Sequence, residues 1–215
     1  MSLQLNPSKA LIFRIVHRAN LPWILRHDRV SSRTSPEQDP EYINIGSAAL
    51  IAKRSGHAVP IPPGGTLSDY VPFYFTPFSI MMYNILTGHG GVVRRAREEI
   101  IILVASLRRV QELGLPFVFT DQHAYAAGTE FFGDLARLDR IDWALLQSRN
   151  FKTDSEDPGR QLRYQAEALV HRHVPLTALS GIGCQSERVR QQLESLIAAS
   201  GRRLTVKATP SWYFE

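Results

Sequence analysis

Three observations predict a single α+β domain over residues 1–215. The length suits one sizeable core and is short for two catalytic modules. Hydrophobic residues make up 44% of the chain and charged residues 21%, the balance of a packed fold rather than a disordered one. Short β-branched runs such as Ile100-Ile101-Ile102-Leu103-Val104 alternate with stretches of helical period such as 187–200.

Residues 7–27 read as two short helical pieces joined near Ala19 and Asn20, with Leu11, Ile12, Ile15, Leu21 and Ile24 as apolar positions and Arg14, Arg18 and Arg26 as basic ones. Pro22 suits a first helical turn, where its missing amide costs little. Residues 28–39 turn polar around a lone Val30 and read as an exposed connection. Prolines and glycines at 56–66 disfavour a regular helix. Residues 70–76 then alternate as a strand, and Ile80, Met81, Met82 and Ile85 suit a helix ended by Gly88, Gly90 and Gly91. Residues 100–104 and 116–120 read as buried strands, 110–114 as a short helix or turn, and 125–140 as one or two short helices. The acidic stretch 150–160 reads as a solvent-facing loop. Period alone leaves 165–170 open, because a strand aligns Glu167 with Leu169 and His171 whereas a helix aligns it with Val170 and His171. A strand at 179–184, an amphipathic helix at 187–200 and a last strand at 204–208 complete the order.

Several chemistries lose support from composition and motif. The 25 Lys and Arg exceed the 20 Asp and Glu, a formal charge of +5 that permits nucleic-acid contact without establishing it. Cys184 is the one cysteine, so an intrachain disulfide, a cysteine-rich zinc site and an iron–sulfur cluster are excluded, and a cytoplasmic protein is expected. Apolar stretches are interrupted before transmembrane length, and no membrane association is expected. Neither a dinucleotide-binding glycine fingerprint nor a phosphate loop is present, and His171 with His173 lacks a third ligand, so no metal is expected.

Five segments together resemble the DarT family, enzymes that ADP-ribosylate bases in single-stranded DNA. They are Ile15-Val16-His17-Arg18-Ala19-Asn20-Leu21-Pro22-Trp23-Ile24, Arg54, Tyr70-Val71-Pro72-Phe73-Tyr74-Phe75, Thr120-Asp121-Gln122-His123-Ala124 and Gln165-Ala166-Glu167-Ala168-Leu169-Val170, with the closing Trp212-Tyr213-Phe214 also similar. One position departs: Phe78 follows Thr76-Pro77 where the family often carries arginine. The resemblance implies an ADP-ribosyltransferase-like split mixed sheet with surrounding helices. It also implies a toxin that moves ADP-ribose from NAD to a base in single-stranded DNA, thymine preferred, and a macrodomain antitoxin as partner. Guanine, RNA or protein acceptors, or an inactive nucleic-acid-binding module, are the alternatives.

The resemblance assigns roles residue by residue. Glu167 is the expected catalytic carboxylate, since leaving of nicotinamide develops positive charge on the ribose. Arg54 is expected beside it, its donor fork suited to a phosphate or a base carbonyl. His17, Asn20 and Tyr74 are expected at NAD; Thr120, Asp121 and His123 as support; Lys152, Arg160 and Arg163 at DNA phosphates. Each has an ordinary reading from composition alone, as surface charge, helix cap, core aromatic or turn residue. Arg94, Arg95 and Arg97 offer a further basic patch if a helix exposes them together.

Overall fold

The computed structural model describes residues 3–214. Its centre is an eight-stranded sheet whose strands are β1 (Leu11–His17), β3 (Tyr70–Tyr74), β4 (Ile100–Ser106), β5 (Phe117–Thr120), β6 (Phe131–Phe132), β7 (Glu167–His171), β9 (Leu179–Cys184) and β10 (Val206–Ala208), in the order β10-β9-β4-β1-β3-β7-β5-β6. A separate pair joins β2 (Arg29–Ser31) to β8 (His173–Pro175). β10 runs parallel to β9 and the remaining neighbours are antiparallel, so the sheet is mixed. The helices are α1 (Leu21–His27), α2 (Ala48–Ser55), α3 (Ile80–Thr87), α4 (Leu107–Glu112), α5 (Trp143–Ser148), α6 (Arg160–Arg163) and α7 (Glu187–Ala199).

Residues 11–17 form a strand, correcting the expected first helical piece. Leu11, Ile12 and Ile15 fit a helical stripe, but they also fit a strand buried on both faces, where alternation disappears. β1 pairs with β4 along its whole length, from Leu11 opposite Ser106 to His17 opposite Ile100. The second piece is α1 as expected, with Pro22 in its first turn and Asp28 closing it in the left-handed region. Val30 is also corrected: it is buried in β2 opposite Val174 rather than exposed on a connection. Residues 92–96 form no helix, so Arg94, Arg95 and Arg97 share no helix face.

On its other side β1 meets β3 at one register pair, Phe13 opposite Tyr74. The sheet therefore splits between β1 and β3, while β3 and β7 remain paired from Tyr70 opposite His171 to Tyr74 opposite Glu167. That register makes residues 167–171 a strand and puts Glu167 at its first position, on the same face as Tyr74. Phe73 and Phe75, on the opposite face, are buried.

Trp212 and Tyr213 lock onto this sheet. Tyr213 Oη donates to Ile100 O at 2.9 Å, and Trp212 meets Phe13 edge-on with ring centroids 5.4 Å apart. Trp212 leaves no room beside Gly183, where a Cβ would lie 2.8 Å from Trp212 Cζ3 and 2.9 Å from Thr209 Oγ1. Gly183→Ala is expected to cost about 1–3 kcal/mol through overpacking. The melting temperature should fall by roughly 2–4 °C per kcal/mol, and an unchanged value would contradict the packing described.

Candidate active site

The split in the sheet opens into a cleft of about 410 Å³, within the usual size of a small-molecule site. β1 contributes Arg14; Asn20 and Trp23 follow from the turn into α1. α2 adds Leu50, Ile51 and Arg54, the segment around β3 adds Tyr70 and Tyr74, and α3 adds Met81 and Asn84. His123, Gln165 and Glu167 close the far wall.

Glu167 is 2% exposed, and a buried carboxylate requires both a counter-ion and hydrogen-bond donors. Arg54 supplies the ion pair, with Nη1 3.1 Å from Oε1 and 3.0 Å from Oε2. The Ala124 amide donates to Oε1 at 3.0 Å. The backbone is fixed as well: Glu167 N donates to Thr120 Oγ1 at 3.2 Å, and that hydroxyl donates to Gln122 O at 2.6 Å. Thr120 thus supports the carboxylate from behind. Tyr74 stands opposite Glu167, and its hydroxyl is pushed far above the ordinary tyrosine range, first by burial and then by the nearby Glu167 charge.

Arg54 arrives on a helix with no fully buried residue. Ser47 caps α2 by accepting from Leu50 N, and the spacing of Leu50, Ile51 and Arg54 turns one side of the helix to the cleft. Arg54 Nη2 is buried and has no partner among the described residues. The same is true of Arg14 Nε, Ser31 Oγ and Asn84 Oδ1, all on residues lining the cleft. These orphaned donors and acceptors fit a polar ligand carrying phosphate, hydroxyl and amide groups.

The other expected residues divide. His123 lines the cleft; its Nδ1 accepts from Tyr125 N at 3.2 Å, and burial holds its pKa below the ordinary value despite the attraction of Glu167. Asn20 lines it too, but its amide is committed to Ile43, donating to the carbonyl at 3.0 Å and accepting from N–H at 2.9 Å. His17 does not line the cleft: Nδ1 accepts from Ala19 N and Nε2 faces Glu99 at 3.4 Å. Asp121 ties its own loop by accepting from Glu130 N.

Arg160 and Arg163 are engaged within the structure rather than free for an incoming strand. Arg160 pairs with Asp154 at 2.7 Å and Asp157 at 3.3 Å. Arg163 pairs with Asp157 at 2.8 Å and with Asp142 at 3.4 Å. Lys152 is exposed. Among the described residues no cluster of three or more metal-ligating side chains occurs, and His171 packs against Tyr70 with the rings tilted by 53°. Cys184 is buried, and burial pushes its thiol pKa up.

Arg14 and Asn84 were missed from sequence. An arginine inside the apolar run Phe13-Arg14-Ile15-Val16 was the available signal for the first. Asn84 carries the same sign, a lone amide within the apolar helix of Ile80, Met81, Met82, Ile85 and Leu86.

Comparison with known proteins agrees with this geometry. Residues 13–214 match the family model described as "ssDNA thymidine ADP-ribosyltransferase, DarT". A DNA ADP-ribosyl transferase of Escherichia coli is 52% identical over 213 residues, covering 99% of this chain and 97% of the relative. The solved structure of Thermus sp. 2.9 DarT in complex with ADP-ribosylated ssDNA superposes with a TM-score of 0.88 at 32% identity, over 100% of both chains. The same protein in complex with NAD+ gives 0.83 at 32% identity, over 97% of this chain and 99% of that one.

The depressed pKa of His123 has a consequence for stability. Its ordinary value is 6.5, so as pH falls the unfolded chain takes up that proton before the folded chain does. The stabilising contribution of the neutral ring is whole above about pH 6.5 and is lost as pH drops through the lower folded value. Urea midpoints at about pH 7.5 and about pH 5.5 should therefore differ less for His123→Gln than for the unaltered protein. Equal differences would refute the buried neutral ring.

Proposed function

Because the chain belongs to the DarT family of single-stranded-DNA thymidine ADP-ribosyltransferases, we propose that its cleft binds NAD and joins the ADP-ribose portion to a thymine in single-stranded DNA, as a toxin. The observation that carries this reading is the buried Glu167 carboxylate, paired with Arg54 at the wall of a cleft lined by unpartnered polar atoms. NAD supplies the reactive ribose, whose bond to nicotinamide breaks while positive charge grows on the sugar.

The chain's own groups meet the needs of that step. Glu167 presents negative charge in a place shielded from water, where it stabilises positive charge more strongly than in solution. It is held there before the substrate arrives, so no reorganisation is needed during reaction. Arg54 pairs with that carboxylate through Nη1 and retains Nη2 for a carbonyl of the incoming base. Thr120 and the Ala124 amide fix the carboxylate's position. Tyr74 encloses the same space, and His123, neutral and donating through Nε2, adds a donor near the reacting groups. A base reaches this depth only after leaving its stack, which favours a single-stranded acceptor.

Among the described residues no helix is long and apolar enough to cross a membrane. Lys152, Arg160 and Arg163 remain proposed phosphate contacts, the two arginines through exchange of their present aspartate partners. A cytoplasmic location and a macrodomain antitoxin that removes the product belong to the same reading.

Incubation with NAD and matched single-stranded DNA, RNA and protein acceptors, followed by fragmentation, is expected to place the added mass on thymine. Mass on guanine, RNA or protein would reassign the acceptor. Oligonucleotide binding without nicotinamide release would make the chain a binding module.

Glu167→Ala is expected to lower transfer by roughly two orders of magnitude or more with folding retained by circular dichroism. Near-normal activity would refute its role. Arg54→Ala should lower transfer to DNA more than it weakens NAD binding; unchanged DNA transfer would count against it.

A further inference from the structure

We infer that Arg149 holds a backbone phosphate of the acceptor strand outside the cleft, an inference that rests on the single-stranded-DNA reading above. Arg149 ends α5 in the left-handed region, at φ 58°, a conformation that helix ends usually give to glycine or asparagine. Its guanidinium lies over the ring of Phe78, with Cζ 3.6 Å from the centroid. Phe78 is also the position at which this chain departs from its family pattern. That ring is itself held: Phe78 meets Phe214 edge-on at 6.4 Å, and Phe214 meets Tyr83 and Phe151 edge-on at 5.8 and 5.6 Å.

The stack makes this guanidinium a prepared anion contact. Stacking covers its face and leaves the N–H edge open; the bond at that edge, Nη1 to Ser211 O, is 3.5 Å long and therefore weak. Arg149 is exposed, and among the described residues no carboxylate stands within salt-bridge distance of it, whereas Arg160 and Arg163 of the adjoining segment are already paired with aspartates. Position selects the occupant. Arg149 does not line the cleft, so a dinucleotide seated there does not reach it. Its surroundings nonetheless border the cleft on two sides: Phe78 directly precedes the cap of α3, whose Met81 and Asn84 line it, and Phe151 packs at 5.3 Å on Tyr164, next to the lining residue Gln165. A strand that inserts one base carries its phosphates across ground outside the cleft. Each phosphate there brings the negative charge that Arg149 lacks, and two oxygens that match its edge donors.

The competing role is a strut that ties the end of α5 to Phe78. Titration of a labelled single-stranded oligonucleotide over a range of salt concentrations, without NAD, separates the two. For Arg149→Gln the plot of log affinity against log salt should be shallower by about 0.7. In transfer assays the KM for oligonucleotide should rise roughly 3- to 10-fold while the KM for NAD stays within about twofold. Arg149→Lys keeps the charge and should restore most of the slope. Replacing single phosphates by uncharged methylphosphonates should find one linkage whose neutralisation weakens binding to the unaltered protein and leaves binding to Arg149→Gln unchanged. An unaltered slope, the absence of such a linkage, or a rise confined to the KM for NAD overturns the assignment, whether or not the melting temperature falls. If Arg149→Gln does not fold, Arg149→Gly suits the left-handed backbone and should show the same loss of slope. Absence of oligonucleotide binding by the unaltered protein overturns this inference together with the DNA reading, whereas transfer to DNA with an unaltered slope overturns the role of Arg149 alone.

Discussion

The structure around the cleft is organised by the need to pair one carboxylate out of water. Glu167 cannot sit almost fully buried at the start of β7 unless its charge and lone pairs are answered. Two parts of the chain answer them, α2 through Arg54 and the segment after β5 through the Ala124 amide, while Thr120 fixes the backbone of Glu167 itself. These partners lie 113, 43 and 47 positions away in sequence, so assembling the site also pins the elements that carry it. Removing one partner leaves an uncompensated charge and costs more than the pair contributes when intact.

The split between β1 and β3 is the second constraint. Full pairing would close the sheet and fill the place where the cleft opens; a single register pair keeps the two halves together and leaves side chains between them. Pro72 contributes by having no amide to donate, and Arg14 occupies the gap that results. Enclosure then makes each remaining polar atom count for more, because its alternative is no partner rather than water.

The sequence was most informative where one signal had one interpretation. β4 and α7 followed from a β-branched run and an amphipathic stripe. β1 did not, because the spacing of Leu11, Ile12 and Ile15 serves a helix and a doubly buried strand equally well, and only pairing with β4 decides between them. Glu167 and Arg54 came from family resemblance, since one glutamate in Gln165-Ala166-Glu167-Ala168 has no local mark of burial or of its distant partner. The polar atoms of His17 and Asn20 hold Glu99 and Ile43, partners that no local pattern marks. Arg14 shows the same limit: its meaning depends on Pro72, 58 positions away.

The paired charges of segment 150–163 bear on how such an enzyme diversifies. Arg160 and Arg163 are already neutralised by Asp154, Asp157 and Asp142, so a polyanion docking there must trade one charge partner for another rather than only displace solvent ions. Exchanging those aspartates alters the terms of that trade without touching the buried carboxylate of Glu167. The charge pattern of this outer segment and the buried pair of Glu167 with Arg54 are thereby open to separate natural selection, one drifting through surface replacements while the other stays fixed.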